Sequence, residues 1–152
     1  MTIREWCFPA RARRLPMARP ISLALRAAHL VSVAILLGGH AAGAPSETLF
    51  PWLVVAVATG AGLIVPEVFA WGLRWFSLGK GVSVLTKLVL LLAIPFVWEA
   101  RVPILVVAVV WAALTAHMPA RLRNYSFAHG RVLDPGAPLP SSGRPALRPP
   151  AN

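Results

Sequence analysis

Read for hydropathy alone, the chain is four apolar stretches separated by short polar breaks: residues 21–44, 50–73, 82–98 and 102–118. An apolar helix of about 20 residues crosses the hydrocarbon core of a bilayer. The pattern therefore predicts an all-α integral membrane protein, a four-helix antiparallel transmembrane bundle whose short loops favour up-and-down order. The first stretch organises the rest. At about 100° per residue, Arg26, His29, Val33, Leu36 and His40 follow one face, and Ala24, Ala28, Ser32, Gly39 and Gly43 follow another. Small side chains let membrane helices approach closely. The second line is accordingly expected to pack on Ala56 and Gly60 of the second span.

Each span also carries polar groups, and ionisable side chains inside a bilayer are costly and therefore informative. In the second span Ala56, Gly60, Leu63 and Glu67 share a face, and Pro66 leaves the carbonyl of Gly62 without its helical partner. The third span carries Lys87, with Pro95 freeing the carbonyl of Leu91 one turn away. Counted from the inner boundaries, Arg26 and Lys87 lie about 7–8 Å in and Glu67 about 9 Å in. His29 is one turn deeper than Arg26, and His117 sits at the inner mouth. A buried polar cluster of Arg26, His29, Glu67, Lys87 and His117 is thus predicted, with Glu67 paired to Arg26, Lys87 or both. Such a layer suits proton relays and anion sites. The plainer expectation is that Arg26 and Lys87 snorkel to the headgroups while Glu67 holds helices together.

Charge placement adds topology. Of 15 basic residues 13 are arginine, against 5 acidic, for a net charge of +10. They collect in residues 1–20, in the loop with Arg74 and Lys80, and after the fourth span; Arg101 stands alone on the other side. That positive-inside bias places both termini in the cytoplasm, in a bacterial inner membrane with anionic headgroups as its surface. It argues against nucleic acid as the partner. Residues 1–20 read as a flexible basic arm, 119–133 as a basic interfacial segment with Tyr125 and Phe127, and 134–152 as a disordered Pro-rich tail. The first span has a rival reading as a secretory signal, from its basic flank, the apolar run at residues 30–37, and Ala42, Gly43 and Ala44.

Candidate chemistry is sparse. The single cysteine, Cys7, excludes an internal disulfide and any multi-cysteine metal site. No H-E-x-x-H, G-x-S-x-G or P-loop motif occurs. Helical membrane bundles hold haem b through histidines at matching depth. His29, at about 12 Å, and His117, at about 2 Å, do not match, and His40 lies near the outer face. No cofactor is expected, with haem b the alternative and His29, His40 and His117 its candidate ligands. For copper, His40 is the only outward candidate and Met118 lies on the wrong side.

The motif L-x-x-x-H-L at Leu25, His29 and Leu30, the pair Gly38 and Gly39, and T-K-L around Lys87 resemble small bacterial four-span membrane proteins of the copper-resistance-D type. The resemblance covers the four spans. It implies that fold and copper handling, and assigns no binding residue. The residues themselves point to a non-enzymatic membrane component, its charge layer structural or serving small transport or proton-coupled work. A haem- or metal-binding redox subunit is the second reading. The small-residue lines leave room for a homo-oligomer or a larger membrane complex.

Overall fold

The computed structural model describes residues 7–13, 18–134 and 137–139. Four helices are long and apolar enough to cross a membrane, over Pro20–Ala41, Ser46–Ser77, Gly79–Phe96 and Trp98–Ala116. Their α-helical parts are α1 (Ala18–Ala41), α2 (Ser46–Trp71), α3 (Gly79–Ala93) and α4 (Arg101–Ala116). A 3₁₀ turn, Gly72–Ser77, joins α2 to α3, and two more, Ile94–Phe96 and Trp98–Ala100, join α3 to α4. A single helical turn, α5 (Ala120–Arg123), then leads into a small hairpin of β1 (Tyr125–Ser126) and β2 (Arg131–Val132).

The helix ends differ from the hydropathy boundaries for local reasons. The apolar run continues to Ala44, yet α1 stops at Ala41 because Gly43 adopts φ 71°. The amide of Ala44 bonds the Gly39 carbonyl at 2.8 Å and that of Gly43 bonds His40 at 3.3 Å. This is the paired closure that a left-handed glycine allows. At the far end of α3, Pro95 cannot donate, and the freed Leu91 carbonyl takes the Ile94 amide instead. Conversely, α3 begins at Gly79, three residues before its apolar run. That shift puts Lys87 eight residues from the first and nine from the last residue of the Gly79–Phe96 span.

Helix α1 packs along α2, α3 packs along α4, and α1 also meets α4. The remaining pair, α2 and α3, has little backbone approach along its length. The bundle is therefore closed on three sides and open on the fourth. The α1–α2 seam uses Leu25, His29, Ser32, Leu36 and Gly39, at alternating spacings of four and three residues, the repeat of left-handed helix pairs. Leu25 lies against Gly62, the His29 ring against Gly60, and the Leu49 side chain against Gly39. Leu36, Leu49 and Ala56 form the buried cluster there. The expected small-residue line contributes Ser32 and Gly39 to this seam, whereas Ala24 and Ala28 are exposed. Gly60 gives the close approach, but it receives the imidazole of His29 rather than an alanine.

A second core sits where residues 7–13, the 3₁₀ turn Gly72–Ser77 and the segment after the hairpin meet. Trp71, Trp75, Leu78, Leu133 and Leu139 are buried together, with Ala12, Ile64, Val68, Ala70 and Val84 against them. Residues 7–13, read above as part of a flexible arm, are docked. Arg13 donates its amide to Ala70 at 3.0 Å, and the Leu139 amide bonds Ala10 at 2.8 Å. Gly72, at φ 62°, lies so close beneath this segment that a Cβ would fall 2.2 Å from the Cys7 carbonyl oxygen. Segment 119–133 is likewise a folded turn and hairpin: the Phe127 amide bonds Ser77 at 2.9 Å, and Ser126 bridges Leu78. Leu139, inside the segment read as a disordered tail, is buried; residues 140–152 lie outside the described residues.

Candidate functional site

Polar side chains of the spans fall into separate groups rather than one layer. His29 of α1 is half-buried, and its Nδ1 lies 3.0 Å from the Ala56 carbonyl and 3.1 Å from Thr59 Oγ1 of α2. The carbonyl only accepts, and the Thr59 hydroxyl donates to Val55 at 2.6 Å. Nδ1 therefore carries a proton, shared between the two acceptors. Below it Ser32, fully buried, donates to the His29 carbonyl at 2.9 Å. This arrangement joins α1 to α2 by hydrogen bonds where a hydrophobic seam alone would slide.

Glu67 pairs with Lys80 at the start of α3, and neither Arg26 nor Lys87 reaches it. Lys80 also lies over the Trp71 ring at 4.6 Å. The result is a brace across the 3₁₀ turn, with cation, carboxylate and indole held on adjoining helix ends. Arg26 is exposed on α1 and His117 is exposed at the end of α4. His40, at the opposite end of the bundle, stands edge-on to Trp98, with ring centres 5.7 Å apart, and Arg101 covers the same indole at 4.9 Å. The five residues expected to cluster from helix depth are thus apart from one another: Arg26, His29, Glu67, Lys87 and His117 make no hydrogen bond or ion pair among themselves. Among the described residues no group of three or more His, Cys, Asp or Glu side chains converges as a metal site.

Sequence reasoning missed the polar network beside the chain ends. Arg74, 4% exposed, donates to the Pro9 carbonyl at 2.8 Å and lies over the Phe8 ring at 5.3 Å. Ser77 donates to the Arg74 carbonyl at 2.8 Å and lies 3.2 Å from Ser126 Oγ, which lies 3.0 Å from His129 Nδ1. Because the Ser77 proton is committed to Arg74, Ser126 donates to Ser77 and His129 donates to Ser126. Burial, with Arg74 and Arg131 nearby, holds His129 below the ordinary histidine pKa. The only advance signal was the clustering of arginine and serine in an otherwise apolar chain. Nothing in helical periodicity joins Arg74 to Pro9, 65 residues away.

Between α3, α4 and the hairpin lies an apolar cavity of about 330 Å³, walled by Val82, Ser83, Trp111, Met118, Tyr125 and Phe127. Ser83 Oγ is buried in that wall without a hydrogen-bond partner among the described residues.

Helices of this length and hydropathy, with apolar faces turned outward along all four, define an all-α membrane protein. Comparison with protein-family models, with curated proteins and with solved structures finds no match to this chain.

Proposed function

We propose that the chain is a non-enzymatic, multi-pass subunit of a bacterial inner membrane, both termini cytoplasmic, that acts by assembling with other membrane components. The observation that carries this reading is the use of the polar groups. His29 and Thr59 join α1 to α2, and Glu67 and Lys80 brace α2 to α3, so these groups hold the chain's own helices. Meanwhile the bundle is open between α2 and α3, with Val57, Val65, Leu88, Val89 and Leu92 exposed on those helices. Such faces are covered by lipid or by other helices. The basic asymmetry supports the orientation. The test is the native mass of the protein extracted in a mild detergent: a species larger than the 16.3 kDa chain with its detergent is expected, and a strict monomer removes the reading.

A second reading, a haem- or metal-binding redox subunit, is favoured by one feature. Donation from His29 Nδ1 to a backbone carbonyl is the arrangement that orients ligating imidazoles. His29 would then be the one histidine to hold such a group, since His40 and His117 lie at opposite ends of the bundle. A Soret band in the purified protein that disappears in His29→Leu would establish this reading over the first.

A further inference from the structure

Lys87 is the group that the fold leaves unaccounted for. Half-buried at the midpoint of the Gly79–Phe96 span, it has no hydrogen bond or ion pair among the described residues. Eight residues of helix separate it from the start of α3, about 12 Å of rise, farther than a lysine stem reaches by snorkelling. Within about 20° it shares a face with Lys80, and Val84 adjoins that line. Both of these turn toward α2, Lys80 to Glu67 and Val84 to the cluster containing Trp71. One turn farther on, where α2 and α3 part, Lys87 therefore faces the open side of the bundle.

A cation in hydrocarbon needs a counter-charge or loses its proton. Glu67, the only acidic residue inside the apolar stretches, is occupied by Lys80. Glu47 and Glu99 lie beyond Lys87 at the opposite end of the bundle and Asp134 follows the hairpin outside the spans, so among the described residues a second copy of this chain offers no unpaired carboxylate at the right depth. We infer that the open α2–α3 side, with Lys87 at its centre, receives a transmembrane helix of a different protein that carries an aspartate or glutamate near its midpoint. This inference rests on the assembly reading and names the partner's chemistry. A membrane-buried carboxylate is matched by Lys87, while Leu91, exposed one turn farther on the same face, supplies apolar contact beside the pair.

The full chain, fluorescently labelled and reconstituted in phosphatidylcholine vesicles, is titrated with a labelled leucine-rich helix of about 21 residues bearing a central aspartate. The control peptide has leucine there. Energy transfer should report association about tenfold tighter for the aspartate peptide, a preference expected for a desolvated ion pair. Lys87→Leu should abolish the preference, Lys87→Arg should keep it, and Arg26→Leu should leave it unchanged. Equal association of the two peptides overturns the inference. So does a preference that survives Lys87→Leu, or one erased by phosphatidylglycerol, which would make a lipid phosphate the counter-ion. In native membranes Lys87→Leu should shrink the extracted complex and Lys87→Arg should not. A complex unchanged by Lys87→Leu defeats this inference and leaves the assembly reading standing, whereas a monomer in every variant defeats that reading.

Discussion

Glu67 on α2 and Lys80 at the start of α3, thirteen residues apart, form an ion pair that also holds Lys80 over the Trp71 indole. Lys80 is 19% exposed at its side chain and Glu67 43%, so the pair is intermediate between a surface bridge and a buried one. Exposed pairs contribute up to about 1 kcal/mol, and breaking a fully buried one costs about 3–5 kcal/mol. Glu67→Gln is expected to cost about 1–2 kcal/mol, between these limits. Combined with Lys80→Met it should cost less than the two single changes summed, whereas with Arg26→Gln the effects should add. Thermal unfolding in detergent measures both cycles. Additivity with Lys80 would mean that the brace does not form.

The docked N-terminal segment depends on one glycine. Gly72 combines φ 62° with a Cβ position 2.2 Å from the Cys7 carbonyl oxygen. Gly72→Ala is therefore expected to cost about 1–3 kcal/mol from backbone strain alone, and to lift residues 7–13 off the turn. Hydrogen exchange at the Arg13 amide, which bonds Ala70, should accelerate. Unchanged protection there would place the segment elsewhere.

Two glycines of the α1–α2 hairpin should respond oppositely to the same change. A Cβ at Gly60 would lie 3.3 Å from His29 Cε1, while Gly38 has nothing within 4 Å. Gly60→Leu overpacks the seam and should cost about 1–3 kcal/mol. Gly38→Leu, on an open helix face, should be neutral or slightly stabilising, since leucine is the better helix former. Equal losses at the two positions would contradict the seam.

The hairpin should weaken in mild acid. The folded state holds His129 below its ordinary pKa of 6.5, through burial and the charges of Arg74 and Arg131. The unfolded segment therefore binds the proton at higher pH than the folded one. The contribution of neutral His129 is full above the ordinary pKa and is lost progressively as the pH falls below it toward the folded value. Exchange of the Leu133 amide, bonded to Asn124 at 2.9 Å, follows this opening once corrected for intrinsic rates. Protection should fall below pH 6.5 and His129→Gln should remove that dependence; a pH-independent profile in the parent protein would contradict it.

Orientation has a direct measurement. Reporter fusions after Asn152 and near Ser46 should lie on opposite sides, with Asn152 cytoplasmic under the orientation proposed from the basic asymmetry. Reporters on one side would be incompatible with four crossings.

Hydropathy determined the helical membrane class, the number of spans and their approximate places, because a bilayer admits few ways of burying so much apolar surface. It also marked Gly60 as a close-approach site. Depth along a helix could not select the partners of the charged groups. Arg26, Glu67 and Lys87 come out level, but pairing depends on helix rotation and neighbour order, and those bring Lys80 rather than either cation to Glu67. The glycine closure of α1 and the early start of α3 moved boundaries by a few residues, and the latter carries Lys87 from about 7–8 Å inside its span to the middle. The docking of Pro9 on Arg74 and of Leu139 on Ala10 joins segments with no periodic pattern. Only tertiary packing decided those contacts, because the buried guanidinium and the Trp71 and Trp75 surfaces need cover that helices alone do not provide.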